Sequence, residues 1–214
     1  MKKSIIAIAF IAFSVIACKT EKNKVETEEA VKEVKKVENP INSYKANIAE
    51  SMITWKGFKP TESHNGDIKI TSGVFDIENG ALKAGEFVVD MNSINCLDLE
   101  GKGKGKLEAH LKNGDFFDTT KFPTSKFVVT STEVKDGKTY VTGNFTLKDI
   151  TKSITIPASI EEDKEGTVHF KSDVFSFDRT EFGVTYKSKT IDAALKDKFI
   201  KDDIEICFDI IAKK

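Results

Sequence analysis

The sequence predicts an all-β protein of eight antiparallel strands, arranged as a sandwich or a barrel, behind an exported and charged N-terminal segment. Three observations carry that prediction. Residues Ile204, Ile206, Phe208 and Ile210 alternate with Glu205, Cys207 and Asp209, the period of two that a half-buried strand requires. Short runs rich in Val, Ile, Thr and Phe recur after Pro40, punctuated by Gly, Asn and Asp, with Asp136-Gly137 placed as a tight hairpin turn. Many such strands at this spacing fit a sandwich or a barrel, and alternation alone does not decide between them.

The elements follow in chain order. Met1-Lys2-Lys3 and the apolar run Ile5–Ala17 have the form of an export signal, because thirteen apolar or small residues are too few for a spanning helix. The run ends in Val15-Ile16-Ala17-Cys18, which resembles a bacterial lipobox, so residues 1–17 are expected to be removed and Cys18 lipidated. Residues 18–43 then read as a lipid anchor and flexible tether. Twelve of the twenty residues from Lys19 to Glu38 are charged, without one aromatic, leucine or isoleucine, too little apolar surface to offset ordering.

Residues 44–214 form the folded domain. Strands are expected near Met52–Lys56, Asp67–Ile77, Ala81–Met91, Lys126–Val134, Tyr140–Leu147, Ser153–Ile160, Val168–Phe177 and Asp203–Ala212. A short helix is expected at Lys104–Lys112, where Leu107 and Leu111 stand four apart. Sixteen phenylalanines against three tyrosines and one tryptophan supply apolar area without hydroxyls that need partners. That suits a packed core or an apolar cavity equally.

Composition excludes more than it assigns. A net charge of -1 offers no basic excess for a phosphate backbone, so nucleic acid is not an expected partner. The three histidines, His64, His110 and His169, show no metal-ligand spacing, and Cys96 and Cys207 stand far apart in no zinc-like pattern. No GxSxG elbow occurs, and Asp115 and Asp118 around Phe116-Phe117 read as loop carboxylates. In the run Gly101–Lys106, GKGKGK, the alternate glycines fit neither phosphate-loop pattern. The run reads as a mobile surface loop, or as a cationic lip facing an anionic head group. No catalytic residue, metal or cofactor is expected.

One residue stands apart: Arg179 is the only arginine in the chain. Lysine lacks the rigid fork of a guanidinium, so a lone arginine implies a fixed geometry. Two roles are open to it. It clasps a carboxylate, Asp178, Glu181 or one from another strand, at the end of an apolar strand face, or it meets a ligand's polar head.

Trp55 with His64-Asn65-Gly66, then FVVDMNSI, DFFDTTKFPTSKF, GNFTLKDITKSITIP, FDRTEFGV and DDIEICFDI come in an order that resembles the YceI-like family, from about Tyr44 onward. The resemblance departs at Asp149, where the family often has glycine. It implies a lipocalin-like antiparallel barrel that binds polyisoprenoids or similar long apolar lipids. With the lipobox, the expectation is a non-catalytic carrier of such a lipid or an isoprenoid quinone, anchored at the periplasmic face or cell surface. The resemblance makes Trp55, His64, Phe87, Phe127, Phe145, Phe177, Arg179 and Phe208 the candidate ligand contacts. Two rivals stay open. A barrel filled by its own phenylalanines would be a structural or stress-response envelope lipoprotein, and a lipid-acting enzyme would need convergent polar groups inside.

Overall fold

The computed structural model describes residues 23–32, 34, 37 and 43–214, so the export signal and Cys18 lie outside the described residues. The strands are β1 (Thr27–Glu29), β2 (Tyr44–Ala46), β3 (Met52–Phe58), β4 (Ser63–Ile68), β5 (Ile70–Glu78), β6 (Ala81–Asp90) and β7 (Asn95–Cys96). Helix α1 (Gly101–Lys112) follows. After it come β8 (Thr124–Lys135), β9 (Lys138–Leu147), β10 (Ile150–Glu162), β11 (Val168–Ser172), β12 (Phe175–Asp178) and β13 (Asp203–Lys213).

These strands close into a barrel. From β10 the ladder runs through β9, β8, β6, β5 and β2 to β13, and β11 joins β13 back to β10. Three staves are broken strands: β2 continues as β3, β4 as β5 and β11 as β12, and all three pair along long neighbours. Counted as staves the barrel has eight, all antiparallel, as the alternation and the resemblance predict. Closure removes most of the exposed sheet edges that an open sandwich would leave, the edges of Ile150–Ile156 in β10 and of β12 excepted. The turns follow from residue chemistry. Asn79-Gly80 and Asp136-Gly137 both take positive φ, the mirror-image turn that matches strand twist in two-residue hairpins.

The interior has two unlike halves. At the end nearer Tyr44, the residues Phe75, Leu82, Val129, Val141, Val168 and Phe170 are almost fully buried and pack into a closed floor. Rings of Tyr44, Phe75, Phe87 and Phe170 follow one another at centroid spacings of 5.5 to 5.7 Å. The other half is bounded by Ile154, Ile156, Phe175, Phe177 and Phe182, with α1 and the Phe116-Phe117 turn beside it.

Two sequence expectations need correction. The tether was expected to be solvated from Lys19 to Glu38, yet Thr27–Glu29 pairs with Ile154–Lys152 of β10, and Lys24 bridges Ser176 of β12. Val25 is buried there. Its own sequence is poor in apolar residues, but the open edges of β10 and β12 supply the partners. The expected loop at Gly101–Lys106 is instead the first half of α1. That helix is docked rather than self-supporting: the Lys104 ammonium donates to the Cys96 carbonyl at 2.7 Å, and Glu108 accepts the Cys96 N–H at 2.8 Å.

Candidate functional site

Alternation along β13 turns Ile204, Ile206, Phe208 and Ile210 inward, and all four border an internal cavity of about 240 Å³. Ile53 and Trp55 of β3, Phe87 and Val89 of β6, Phe127 of β8 and Phe145 of β9 border it too. Its wall is almost wholly carbon. Inward residues on a filled barrel are buried, as Phe170 and Ile210 are. Phe127, Phe145, Ile204, Ile206 and Phe208 also point inward, yet each keeps an intermediate exposure. They face empty space.

Close backbone approaches shape this hollow. A Cβ on Gly143 would lie 2.4 Å from Cζ of Phe127, so only glycine lets that ring lie flat against β9. A Cβ on Gly66 would lie 1.9 Å from the Asn95 carbonyl oxygen and 2.6 Å from the Trp55 ring. The indole is thereby pressed on β4, and its N–H donates to the Asp67 carbonyl at 3.1 Å.

One end is sealed by the Phe75, Leu82 and Val141 floor, and the other reaches the surface beside Phe58, Lys59, Ser63, His64 and Lys201. Leu107 and Leu111 of α1 and the Phe116-Phe117 pair overhang this mouth. Polar chemistry is confined to the rim. The His64 ring nitrogen Nδ1 lies 2.8 Å from Asp98, which also accepts the Asn65 N–H at 2.9 Å and the Cys96 thiol at 3.3 Å. Burial alone would raise the Asp98 pKa. The Asn65 N–H, the imidazole and the thiol outweigh it and hold the carboxyl at about 2. Burial, followed by the bond to Asp98, pushes the Cys96 thiol up, which suits a structural sulfur and not a nucleophile.

All eight candidate contacts border the cavity, though not in one role. Trp55, Phe87, Phe127, Phe145, Phe177 and Phe208 form its apolar wall, and His64 sits at the rim. Arg179 is different. It is 1% exposed, and its Nε donates to the Lys201 carbonyl, Nη1 to the Val184 carbonyl and Nη2 to the Ile200 carbonyl. Its carboxylate is Asp202, at 3.4 Å, the partner from elsewhere in the chain that the sequence left open beside Asp178 and Glu181. Asp178 instead accepts from Thr180, and Glu181 lies beside Lys152. Burial lowers the Arg179 pKa from its ordinary value, while Asp202 and Asp178 oppose that shift. The guanidinium pins the long excursion between β12 and β13, so its fork is turned to the chain and away from a ligand. Sequence reasoning passed over Leu107, Leu111, Lys59 and Lys201 at the mouth. The Leu107 and Leu111 spacing was visible, but nothing in it says what the helix covers. Among the described residues, no group of three or more His, Cys, Asp or Glu side chains is placed to hold a metal ion.

The comparisons agree with this architecture. A family model for the YceI-like domain matches residues 44–212. A UPF0312 protein of Shewanella denitrificans is 36% identical over 87 residues, 40% of this chain and 44% of that protein. A UPF0312 protein of Pseudomonas aeruginosa is 30% identical over 89 residues, 42% of this chain and 44% of that one. The aligned regions thus span under half the length of these curated relatives. Among solved structures, BcnA of Burkholderia cenocepacia superposes with a TM-score of 0.59 at 18% identity, covering 78% of this chain and 98% of its own. A polyisoprenoid binding domain from Saccharophagus degradans superposes with a TM-score of 0.58 at 14% identity, covering 79% and 97%. At such identities the likeness is one of fold. The family model spans most of the chain, and the chain belongs to the YceI-like family.

Proposed function

We propose that this protein binds and carries one long apolar lipid, of the polyisoprenoid or isoprenoid-quinone class, without chemical change to it. The observation that carries the reading is the hollow half of the barrel, where five inward apolar side chains on β8, β9 and β13 remain half-exposed. A tail placed there replaces empty space with carbon contacts. Each buried methylene contributes about 0.8 kcal/mol, so a long chain needs few polar contacts. The polar end of the lipid stays at the mouth, where Lys59, His64 and Lys201 supply donors and positive charge. The name of the Saccharophagus domain supports the same ligand class. A lipidated Cys18 would hold the carrier at the cell envelope. The rival reading of a filled barrel describes the floor half alone, which is packed with Phe75, Phe170 and their neighbours.

The test replaces Phe208 by Trp and pairs two measurements, melting of the delipidated protein and binding of a fluorescent polyprenyl probe. Filling a hollow leaves the melting temperature in place while probe affinity falls at least tenfold. In a filled core, overpacking would cost about 1–3 kcal/mol. Lost stability with no probe bound by either form would refute the carrier reading.

A further inference from the structure

Segment Asn23–Val31 occupies a slot that the eight staves leave open. β10 pairs with β11 only from Ala158 to Glu162, and β12 pairs along one edge with β13. Ile150–Ile156 and Phe175–Asp178 are therefore left with edges facing each other. The segment lies between them. Thr27–Glu29 pairs antiparallel with Ile154–Lys152, and Lys24 bridges Ser176 in parallel. The Val25 N–H donates to the Ser176 carbonyl at 2.8 Å, and the Ser176 N–H donates to the Asn23 carbonyl at 3.1 Å. Val25, 6% exposed, completes the apolar cluster with Ile154, Ile156, Phe175 and Phe177, all four of which border the cavity.

Little holds it there. Within the segment the buried apolar anchor is Val25, and two of the three paired residues, Glu28 and Glu29, carry weak strand preference. Its ion pairs are exposed: Lys24 with Asp203 at 41% and 43%, and Lys152 with a Glu29 side chain that is 98% exposed. Such pairs contribute little. One clamp is well made, since Asn144 accepts the Val31 N–H at 2.9 Å and donates to the Val31 carbonyl at 2.7 Å. Short ladders with little apolar burial open well below the free energy of global unfolding. The same segment begins five residues after Cys18, a reach of at most about 18 Å for an extended chain. An acylated Cys18 would therefore hold this wall of the barrel, and not only its mouth, next to a bilayer.

We propose that Asn23–Val31 is a removable ninth stave, which leaves the seam between β10 and β12 while the barrel stays folded and so opens the cavity sideways. The use of that opening, lateral passage of a lipid between bilayer and hollow, rests on the carrier reading; the release itself does not.

The test is the variant Glu28→Cys with Ser153→Cys. These residues are directly opposed in the ladder, where Cβ atoms stand about 4.5–5.5 Å apart, near the span a disulfide bridges. Hydrogen exchange is followed at the Ser176 amide, whose acceptor is the stave, against the amides of the β9–β10 ladder. With the pair reduced, Ser176 is expected to exchange at least a hundredfold faster than that ladder, and oxidation should bring it to the ladder's rate. Asn144→Ala, which keeps the barrel's own pairing, should speed Ser176 further. Exchange of Ser176 at the ladder's rate in the reduced and wild-type proteins would overturn the proposal. The second measurement is uptake of a fluorescent polyprenyl lipid from phospholipid vesicles by delipidated protein. Oxidation should slow uptake at least tenfold and reduction restore it, whereas equal rates in both states would overturn the sideways opening. Should neither state take up the probe while Ser176 still exchanges fast only when reduced, the stave is upheld and the carrier reading fails.

Discussion

Arg179 shows how much one side chain can fix. Three carbonyls and Asp202 take its donors at once, and a lysine ammonium has neither the reach nor the planar fork to serve them together. Arg179→Lys is expected to lower stability by about 1–3 kcal/mol, read from the urea midpoint, because buried carbonyls lose their partners. Probe affinity per folded molecule should not change. Asp98 makes a pH-dependent contribution at the mouth. Its carboxyl is held at about 2 against an ordinary 3.8, so it stabilises the fold fully above the ordinary value and loses that effect as pH falls toward 2. Asp98→Asn should lower stability at neutral pH, where the contribution is fully present, and flatten the acid limb of the stability curve between those values. The lone arginine was legible as a fixed geometry. Its partner was not, since Asp202 is brought to it by an excursion with no repeating pattern.

At the scale of elements, alternation made part of every one of the eight staves legible, because a strand with one face inward must repeat every two residues. Tyr44–Ala46 of β2 and most of β4 lay outside the expected strands. What escaped were pieces ordered by their neighbours. β1 owes its place to the free edges of β10 and β12, and the first turns of α1 owe theirs to Lys104 and Glu108 gripping β7. Neither signal lies in the segment's own composition. The glycines of α1 remain a liability to it: a Cβ on Gly103 or Gly105 would meet open space, so neither is required by packing. Gly103→Ala and Gly105→Ala should each stabilise the helix by up to about 1 kcal/mol, seen as slower amide exchange across α1 with the barrel unchanged. On the cavity wall the sign reverses. Gly143→Ala drives a methyl into Phe127 and should cost about 1–3 kcal/mol in thermal or urea unfolding.

For the whole molecule, the family and the closed barrel were legible in ordered blocks of sequence, but the hollow was not. A phenylalanine count is the same whether rings meet one another or face a void. Only the register, which sends Phe127, Phe145 and Phe208 inward and leaves them half-exposed, separates the two. Anchoring belongs to this scale as well. Cys18→Ser should move the protein from the membrane fraction to the soluble one after a high-salt wash, with unchanged barrel melting. Persistence in the membranes would remove the lipidated cysteine from the picture. Cargo in the hollow is the central claim, and native mass spectrometry of the protein released gently from its own membranes tests it most directly. The expected spectrum shows the folded chain carrying an added mass that organic extraction removes and that migrates as an apolar lipid. A spectrum of bare chain alone, from protein never exposed to solvent or harsh detergent, would contradict it.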